Sequence, residues 1–342
     1  MKRRLIHGTS GEEPLNVQAQ DVFEMMQPDL DRVEETLVTA AQIDYPIVNA
    51  MLQAIVSGGG KRLRPVLLLL AARAFDQFNE RSIDVAAGVE LLHTASLVHD
   101  DSIDKAALRR GNPTLNTELS TGAVILIGDY LFAKSAILAA KPENPRVMVI
   151  FATMLAEICD GQIRETLEAH KIDQSMEEYE ARIYGKTAAL FAGAAEMGAL
   201  LGGGTEDQVR ELRQFGSDLG MAFQVIDDVL DLRESSEQLG KPAGNDLRQG
   251  VVTVPVMRYA ASLAEDAPQR AIIAGIVDGE ITDQAVVDAL IKDIRESDAI
   301  SESEQIARDY VDAARSRIEV VLNPDVRAGL EQVLDLTTIR SV

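Results

Sequence analysis

The chain has 342 residues, with 33 Lys and Arg against 55 Asp and Glu, and a formal net charge of −22. That length is ample for a buried core in one large domain or two ordinary ones, and the acidity works against partners with a phosphate backbone or an anionic membrane surface. One cysteine, Cys159, excludes an intrachain disulfide and any multi-cysteine metal site. Four histidines without an HExxH pattern leave oxygen as the main donor for a metal, which points to Mg²⁺, Mn²⁺ or Ca²⁺.

Residues 1–18, polar and interrupted by Gly, Ser, Glu and Pro, read as a flexible N-terminal tail. The basic start Met1-Lys2-Arg3-Arg4 lacks the apolar stretch of a signal peptide. Residues 19–342 read as a single all-α domain. Apolar residues recur three and four apart, as at Leu91, Leu92, Ala95 and Val98, at Val147, Ile150, Met154 and Ile158, and at Val286, Leu290 and Ile294. Sustained strict alternation is absent. The run Val251 to Val254 imitates a strand, yet Pro255 suits the first turn of a helix. Breakers at Gly58 to Gly60, Gly111 to Pro113, Pro142 to Pro145, Gly202 to Gly204 and Gly240 to Gly244 leave room for helices of about 15–30 residues. The apolar runs Val66 to Ala72 and Ala123 to Ile127 are far short of a membrane span, so no transmembrane segment and a cytoplasmic location are expected.

The sharpest chemical signal is Asp100-Asp101-Ser102-Ile103-Asp104, repeated 127 residues later as Asp227-Asp228-Val229-Leu230-Asp231. On a helix, Asp100 and Asp104 face the same way, as do Asp227 and Asp231, and like charges at that spacing repel. One DDxxD among 55 acids would read as a solvated acidic face. Two copies, each following an apolar helical stretch, need a cation, and carboxylates from two helices suit Mg²⁺ bridging to phosphate oxygens.

The basic counterpart is Gly58-Gly59-Gly60-Lys61-Arg62-Leu63-Arg64-Pro65, which opens an apolar helix. Glycines let the backbone approach an anion and a helix start offers free N–H groups, although the run also reads as a simple turn. Arg109-Arg110 just beyond the first acidic motif can clamp a diphosphate, or stand as surface arginines at a helix end. Lys186, Thr187, Gln224 and Lys241 are weaker signals taken singly, because a lone buried Gln or Lys is usually satisfied locally.

Taken in order, GGGKRLRP, LLHTASLVHDDSID, RRGNPTLN, GDYLFA, GKTAALF, FQVIDDVLDL and GKPAGNDL resemble the trans-type polyprenyl diphosphate synthases, from about residue 45 to the C-terminus. The resemblance implies an isoprenoid synthase helical bundle around a deep cavity, in a homodimer. It implies condensation of isopentenyl diphosphate with an allylic diphosphate by Mg-assisted ionisation and release of pyrophosphate, with weak membrane association at product release. About three Mg²⁺ per site, with Mn²⁺ substituting, would be held by the two motifs, Asp100, Asp101, Asp104, Asp227, Asp228 and Asp231. Asp100, Asp104 and Asp227 are the principal ligands by resemblance. Arg109, Lys186 and Lys241 would hold the allylic diphosphate; Lys61, Arg64, His93 and Arg110 would hold isopentenyl diphosphate. Thr187 and Gln224 would flank the carbon where positive charge develops. Val251 stands where relatives often carry a Lys. A terpene cyclase of the same fold usually lacks the second DDxxD and the GGGKRLRP segment.

In this family product length follows cavity depth. Ala95 and Ser96 lie about 6–7.5 Å deeper than Asp100 along their helix, and their small side chains leave the channel open. Phe151, about 16 Å down its helix from Gln162, is the next candidate floor, or an ordinary core residue. A product longer than C20 is expected, with a geranylgeranyl product as the alternative.

Overall fold

The computed structural model describes residues 15–58, 60–109, 112–168, 171–233 and 243–338. Helix α1 (Leu15–Ala40) begins inside the stretch expected to be tail, and it buries Val22, Met26, Leu30, Val33 and Leu37 at helical spacing. After α2 (Pro46–Ser57) comes α3 (Leu63–Arg73), whose run Val66 to Ala72 is fully buried. A helix apolar all round belongs in the middle of a bundle, and α3 packs against α1, α4 and α8. Helix α4 (Ser82–Ile103) lies against α5 (Thr121–Ala140), followed by α6 (Pro145–Glu168).

Between α4 and α5 lies a short antiparallel ladder, β1 (Leu108–Arg109) with β2 (Asn112–Pro113), pairing Arg109 with Asn112. Residues too few to alternate give no strand signal in the sequence. Helix α7 (Met176–Ile183) starts on a capping box in which Glu178 and Ser175 exchange hydrogen bonds. It runs through one π-helical turn, Tyr184–Ala188, into α8 (Ala189–Leu201). Helix α9 (Glu206–Arg233) carries the second aspartate motif. A single helical turn, Asn245–Arg248, leads to α10 (Val254–Ser262), with Pro255 in its first turn as expected. The fold closes with α11 (Pro268–Val277), α12 (Gln284–Glu296), α13 (Ala299–Arg317) and α14 (Pro324–Thr338). Several of these helices are shorter than the breaker spacing suggested, because turns at 264–267, just before Pro268, and at 279–283 divide the acidic C-terminal third.

Helix α9 threads three apolar clusters. Leu219 joins the main core of α1, α3–α6 and α8; Val225 packs with Tyr179 and Ile183; Leu232 packs with α10–α12. Helix α5 corrects the expectation about apolar length. Its 20 residues are long and apolar enough to cross a membrane by length and composition, with a mean hydropathy of 1.7 over its most apolar stretch. The sequence runs looked shorter because Asp129 and Lys134 interrupt them. One side of α5 packs on α4, while Ile125, Leu126 and Ile137 remain exposed.

Candidate active site

Both aspartate motifs stand at helix C-termini. Helix α4 ends at Ile103, and Asp104 closes its last turn with its N–H on the Asp100 carbonyl at 2.8 Å. Asp227, Asp228 and Asp231 occupy the last two turns of α9. The negative end of the helix dipole disfavours carboxylates, so both positions call for positive charge from elsewhere.

Lys186 supplies part of it. Its ammonium is bidentate to Glu165 near the end of α6, at 2.6 and 2.7 Å, and it acts electrostatically on Asp100 and Asp104 on one side and Asp246 on the other. Asp246 in turn donates its backbone N–H to Asp231 Oδ2 at 3.1 Å and repels Asp228. Lys186 therefore sits between the two halves of one site. Burial pushes the Asp100 carboxyl up to about 6; Lys186 opposes the shift, while Glu165 and Asp104 add to it. Asp104 is raised by burial in the same surroundings. For Lys186 burial works against the charge, but Glu165 together with Asp246 and Asp100 outweighs it and holds the amine above the ordinary lysine range.

A close helix crossing sets this arrangement. A Cβ on Gly161 of α6 would lie 2.5 Å from the Lys186 nitrogen, and one on Gly185 would lie 2.7 Å from the Glu157 carbonyl oxygen and the Gly161 Cα. Only two glycines let α6 and the π-turn touch at this point, which brings Glu165 within reach of Lys186. Glu165 and Asp246 are the site residues the sequence reading missed as ligands or partners. Their signal was proximity to motif residues: Glu165 follows Gly161-Gln162, and Asp246 lies in GKPAGNDL.

The remaining aspartates have protein partners. Asp101 is buried and accepts from the Arg109 guanidinium at 2.8 Å. Asn116 donates to the Asp101 and Ala106 carbonyl oxygens, and Thr114 to Ala106, so RRGNPTLN stitches the β1–β2 hairpin to the end of α4. Asp228 is also buried, accepting from Gln224 and from the Tyr179 hydroxyl at 2.8 Å each; burial and Asp246 push its carboxyl up to about 7 despite those bonds. Thr187 donates to Gln224 Oε1 at 2.6 Å, which joins the π-turn to α9.

On the basic side, Lys61 is exposed and Arg64 half-buried, with its guanidinium 4.5 Å over the Phe191 ring. Phe191 lies 5.8 Å from Phe223, the residue before Gln224, so GGGKRLRP, GKTAALF and FQVIDDVLDL converge. His93 is half-buried on α4, two turns before Asp100. Arg110 and Lys241 lie outside the described residues. Ala95 and Ser96 part company: Ala95 is fully buried in the main core, whereas Ser96 is half-buried, its hydroxyl on the His93 carbonyl oxygen at 2.8 Å. The helix turns about 100° between them, so one neighbour faces the core as the other leaves it. Phe151 is buried in the main core.

Among the described residues no group of three His, Cys, Asp or Glu side chains forms a ready-made metal cage. The all-oxygen donors Asp100 and Asp104, crowded by Glu165, and Asp227 on α9 suit a hard cation that takes only one or two carboxylates and completes its shell with phosphate oxygens and water. The family model for polyprenyl synthetase matches residues 45–294. The chain belongs to the polyprenyl synthetase family. It is a prenyl-transferring enzyme with the helical isoprenoid synthase fold. It is 44% identical over 295 residues to heptaprenyl diphosphate synthase component 2 of Geobacillus stearothermophilus, covering 86% of this chain and 90% of that one. Nonaprenyl diphosphate synthase of Mycobacterium tuberculosis is 34% identical over 90% of this chain and 91% of its own. Among solved structures, a decaprenyl diphosphate synthase from Rhodobacter capsulatus superposes with a TM-score of 0.89 at 32% identity, covering 95% of this chain and 99% of that one. A polyprenyl synthase from Caulobacter crescentus, solved with calcium and isoprenyl diphosphate, gives 0.88 at 31% identity over 95% and 98%. A geranylgeranyl pyrophosphate synthase from Corynebacterium glutamicum, 29% identical with a TM-score of 0.76, was likewise solved with calcium and isoprenyl diphosphate.

Proposed function

We propose that the protein joins isopentenyl diphosphate head-to-tail to an allylic diphosphate, releases pyrophosphate, and builds an all-trans chain longer than C20. The observation that carries the reading is Lys186, placed among Asp100, Asp104 and Asp246 with Glu165 as its counter-ion. Lys186, with Arg109, would bind the allylic diphosphate and stabilise charge on the leaving pyrophosphate. Asp100, Asp104 and Asp227 would hold Mg²⁺, about three ions as the family resemblance implies, with Mn²⁺ able to substitute. When bound, the metal supplies Lewis-acid stabilisation of the leaving diphosphate. Thr187 Oγ and the Gln224 amide present dipoles beside the site where the allylic cation develops, and the buried walls keep water from it. Lys61, Arg64 and His93 would seat isopentenyl diphosphate, whose double bond attacks that cation. Proton loss then needs no side-chain base, because the departing pyrophosphate can accept it.

The length reading rests on the relatives, named for heptaprenyl, octaprenyl, solanesyl and nonaprenyl products, and on the small Ser96 one turn below Asp100. A geranylgeranyl product has less support. We infer a cytoplasmic enzyme acting as a homodimer, with the exposed apolar side of α5 as the face that calls for a partner. A second chain of different sequence is the competing assembly, since two relatives, at 44% and 33% identity, are named component 2. Purified protein with Mg²⁺, labelled isopentenyl diphosphate and primers of increasing length should give products longer than C20, and light scattering should give twice the chain mass. Absence of elongation with any primer overturns the function. A monomer that elongates only after another protein is added favours the second assembly.

A further inference from the structure

Arg62, between Lys61 and Arg64, is one of a few non-glycine residues in the left-handed backbone region, with φ 46° and ψ 36° at the start of α3. Glycine takes that conformation without steric cost, and glycines precede it at 58–60. An arginine in such a seat is there for its side chain. Its guanidinium is mostly buried and spends its donors on three elements. Nε and Nη2 grip Glu34 of α1 at 2.5 and 3.1 Å, Nη1 reaches Glu90 of α4 at 3.0 Å, and Nη2 reaches the Val56 carbonyl oxygen of α2 at 2.6 Å. Glu90 is buried, with one oxygen paired to Arg62 and the other without a hydrogen-bond partner among the described residues.

This clamp sets the neighbours. With Arg62 drawn inward, Lys61 stays exposed, Leu63 enters the core, and Arg64 swings over Phe191. Glu90 lies three residues before His93 on the same helix face. We infer that Arg62 is a positioning residue for the isopentenyl diphosphate subsite, fixing Lys61 and Arg64 through its strained backbone and His93 through Glu90. The inference rests on Lys61, Arg64 and His93 being the residues that seat isopentenyl diphosphate.

The test compares steady-state constants for both substrates in the full chain. Arg62→Gly keeps the backbone geometry accessible and removes only the clamp; it should raise KM for isopentenyl diphosphate by about tenfold or more while KM for the allylic primer stays within about twofold. Glu34→Gln, at a half-exposed position, should give a smaller rise of the same kind and serves if the Gly variant does not fold. Arg62→Lys, which cannot make the fork to Glu34, should recover only part of the loss. Equal changes in both KM values, or a fall in thermal stability with both unchanged, overturns the positioning role. Lys61→Ala is the control for the underlying reading. If it leaves KM for isopentenyl diphosphate unaltered, the subsite itself is misassigned; if it raises KM and both Arg62→Gly and Glu34→Gln do not, only the role of Arg62 falls.

Discussion

The Thr187 hydroxyl donates to Gln224 Oε1 at 2.6 Å, and the Gln224 side-chain Nε2 donates onward to Asp228 at 2.8 Å. The chain fixes which way the Gln224 amide faces: its oxygen toward the π-turn, its nitrogen toward the aspartate. Thr187→Val preserves the shape and removes the donor. A lost hydrogen bond at a half-buried polar group is worth on the order of 1–2 kcal/mol, so kcat should fall by about tenfold with little change in KM for either diphosphate. Single-turnover measurements with a saturating primer check this; an unchanged rate would remove Thr187 from the site.

The Gly161–Gly185 crossing predicts a local failure. Gly161→Ala puts a methyl 2.5 Å from the Lys186 nitrogen, against backbone rather than a flexible side chain. The protein should lose about 1–3 kcal/mol of stability through overpacking. Activity at a temperature where the variant stays folded should fall further still, because Lys186 moves with the backbone that is pushed. Denaturant melts paired with initial rates separate the two effects.

Metal-free protein should become less stable as pH rises. The folded-state Asp100 and Asp228 carboxyls are raised from 3.8 to about 6 and about 7, so the folded chain binds protons that the unfolded chain has released. Their contribution is complete below about pH 4 and is lost progressively as pH climbs to about 7. Urea melts in EDTA from pH 5 to pH 8 should show the decline, and Asp228→Asn should flatten it. A stability that rises over this range in the wild type and does not respond to the substitution would contradict the burial of these carboxylates.

Product length should respond differently at two adjacent residues. Ser96→Phe, at a half-buried position, should shorten the product while leaving the fold intact. Ala95→Phe forces a ring into the filled main core and should cost about 1–3 kcal/mol or more instead of trimming the product cleanly. Sizing products by chromatography, alongside thermal melts, distinguishes the outcomes. An unaltered product from Ser96→Phe would show that the channel does not pass this face of α4.

The helical nature of the chain, the two aspartate motifs and the family were legible from local signals: spacing of apolar residues, like charges one turn apart, and collinear motifs. Pro255 and the start of α10 were legible for the same reason, a local steric preference. What escaped was set by distance in space. Glu165 looks like any surface acid until the Gly161–Gly185 contact brings it to Lys186. Arg62 looks like a third basic residue in a basic motif until Glu34 and Glu90, 28 residues away on either side, close on it. Ala95 and Ser96 are equally small in sequence, and only the packing of α4 decides which one meets the core.

The π-turn at Tyr184–Ala188 sets the phase between two helices that follow one another without a break. Before it, Tyr179 and Ile183 face the cluster shared with the end of α9; after it, Leu190 and Phe191 face the main core. One inserted residue rotates all of α8 by about 100°, so a single continuous rod serves two different interiors. Deleting any one residue between Ile183 and Ala189 would restore ideal helical hydrogen bonding and still ruin the protein, swinging Phe191 away from Arg64 and the whole of α8 off α3. The segment can change its letters far more readily than its length, and the irregularity is what keeps its two ends in phase with their neighbours.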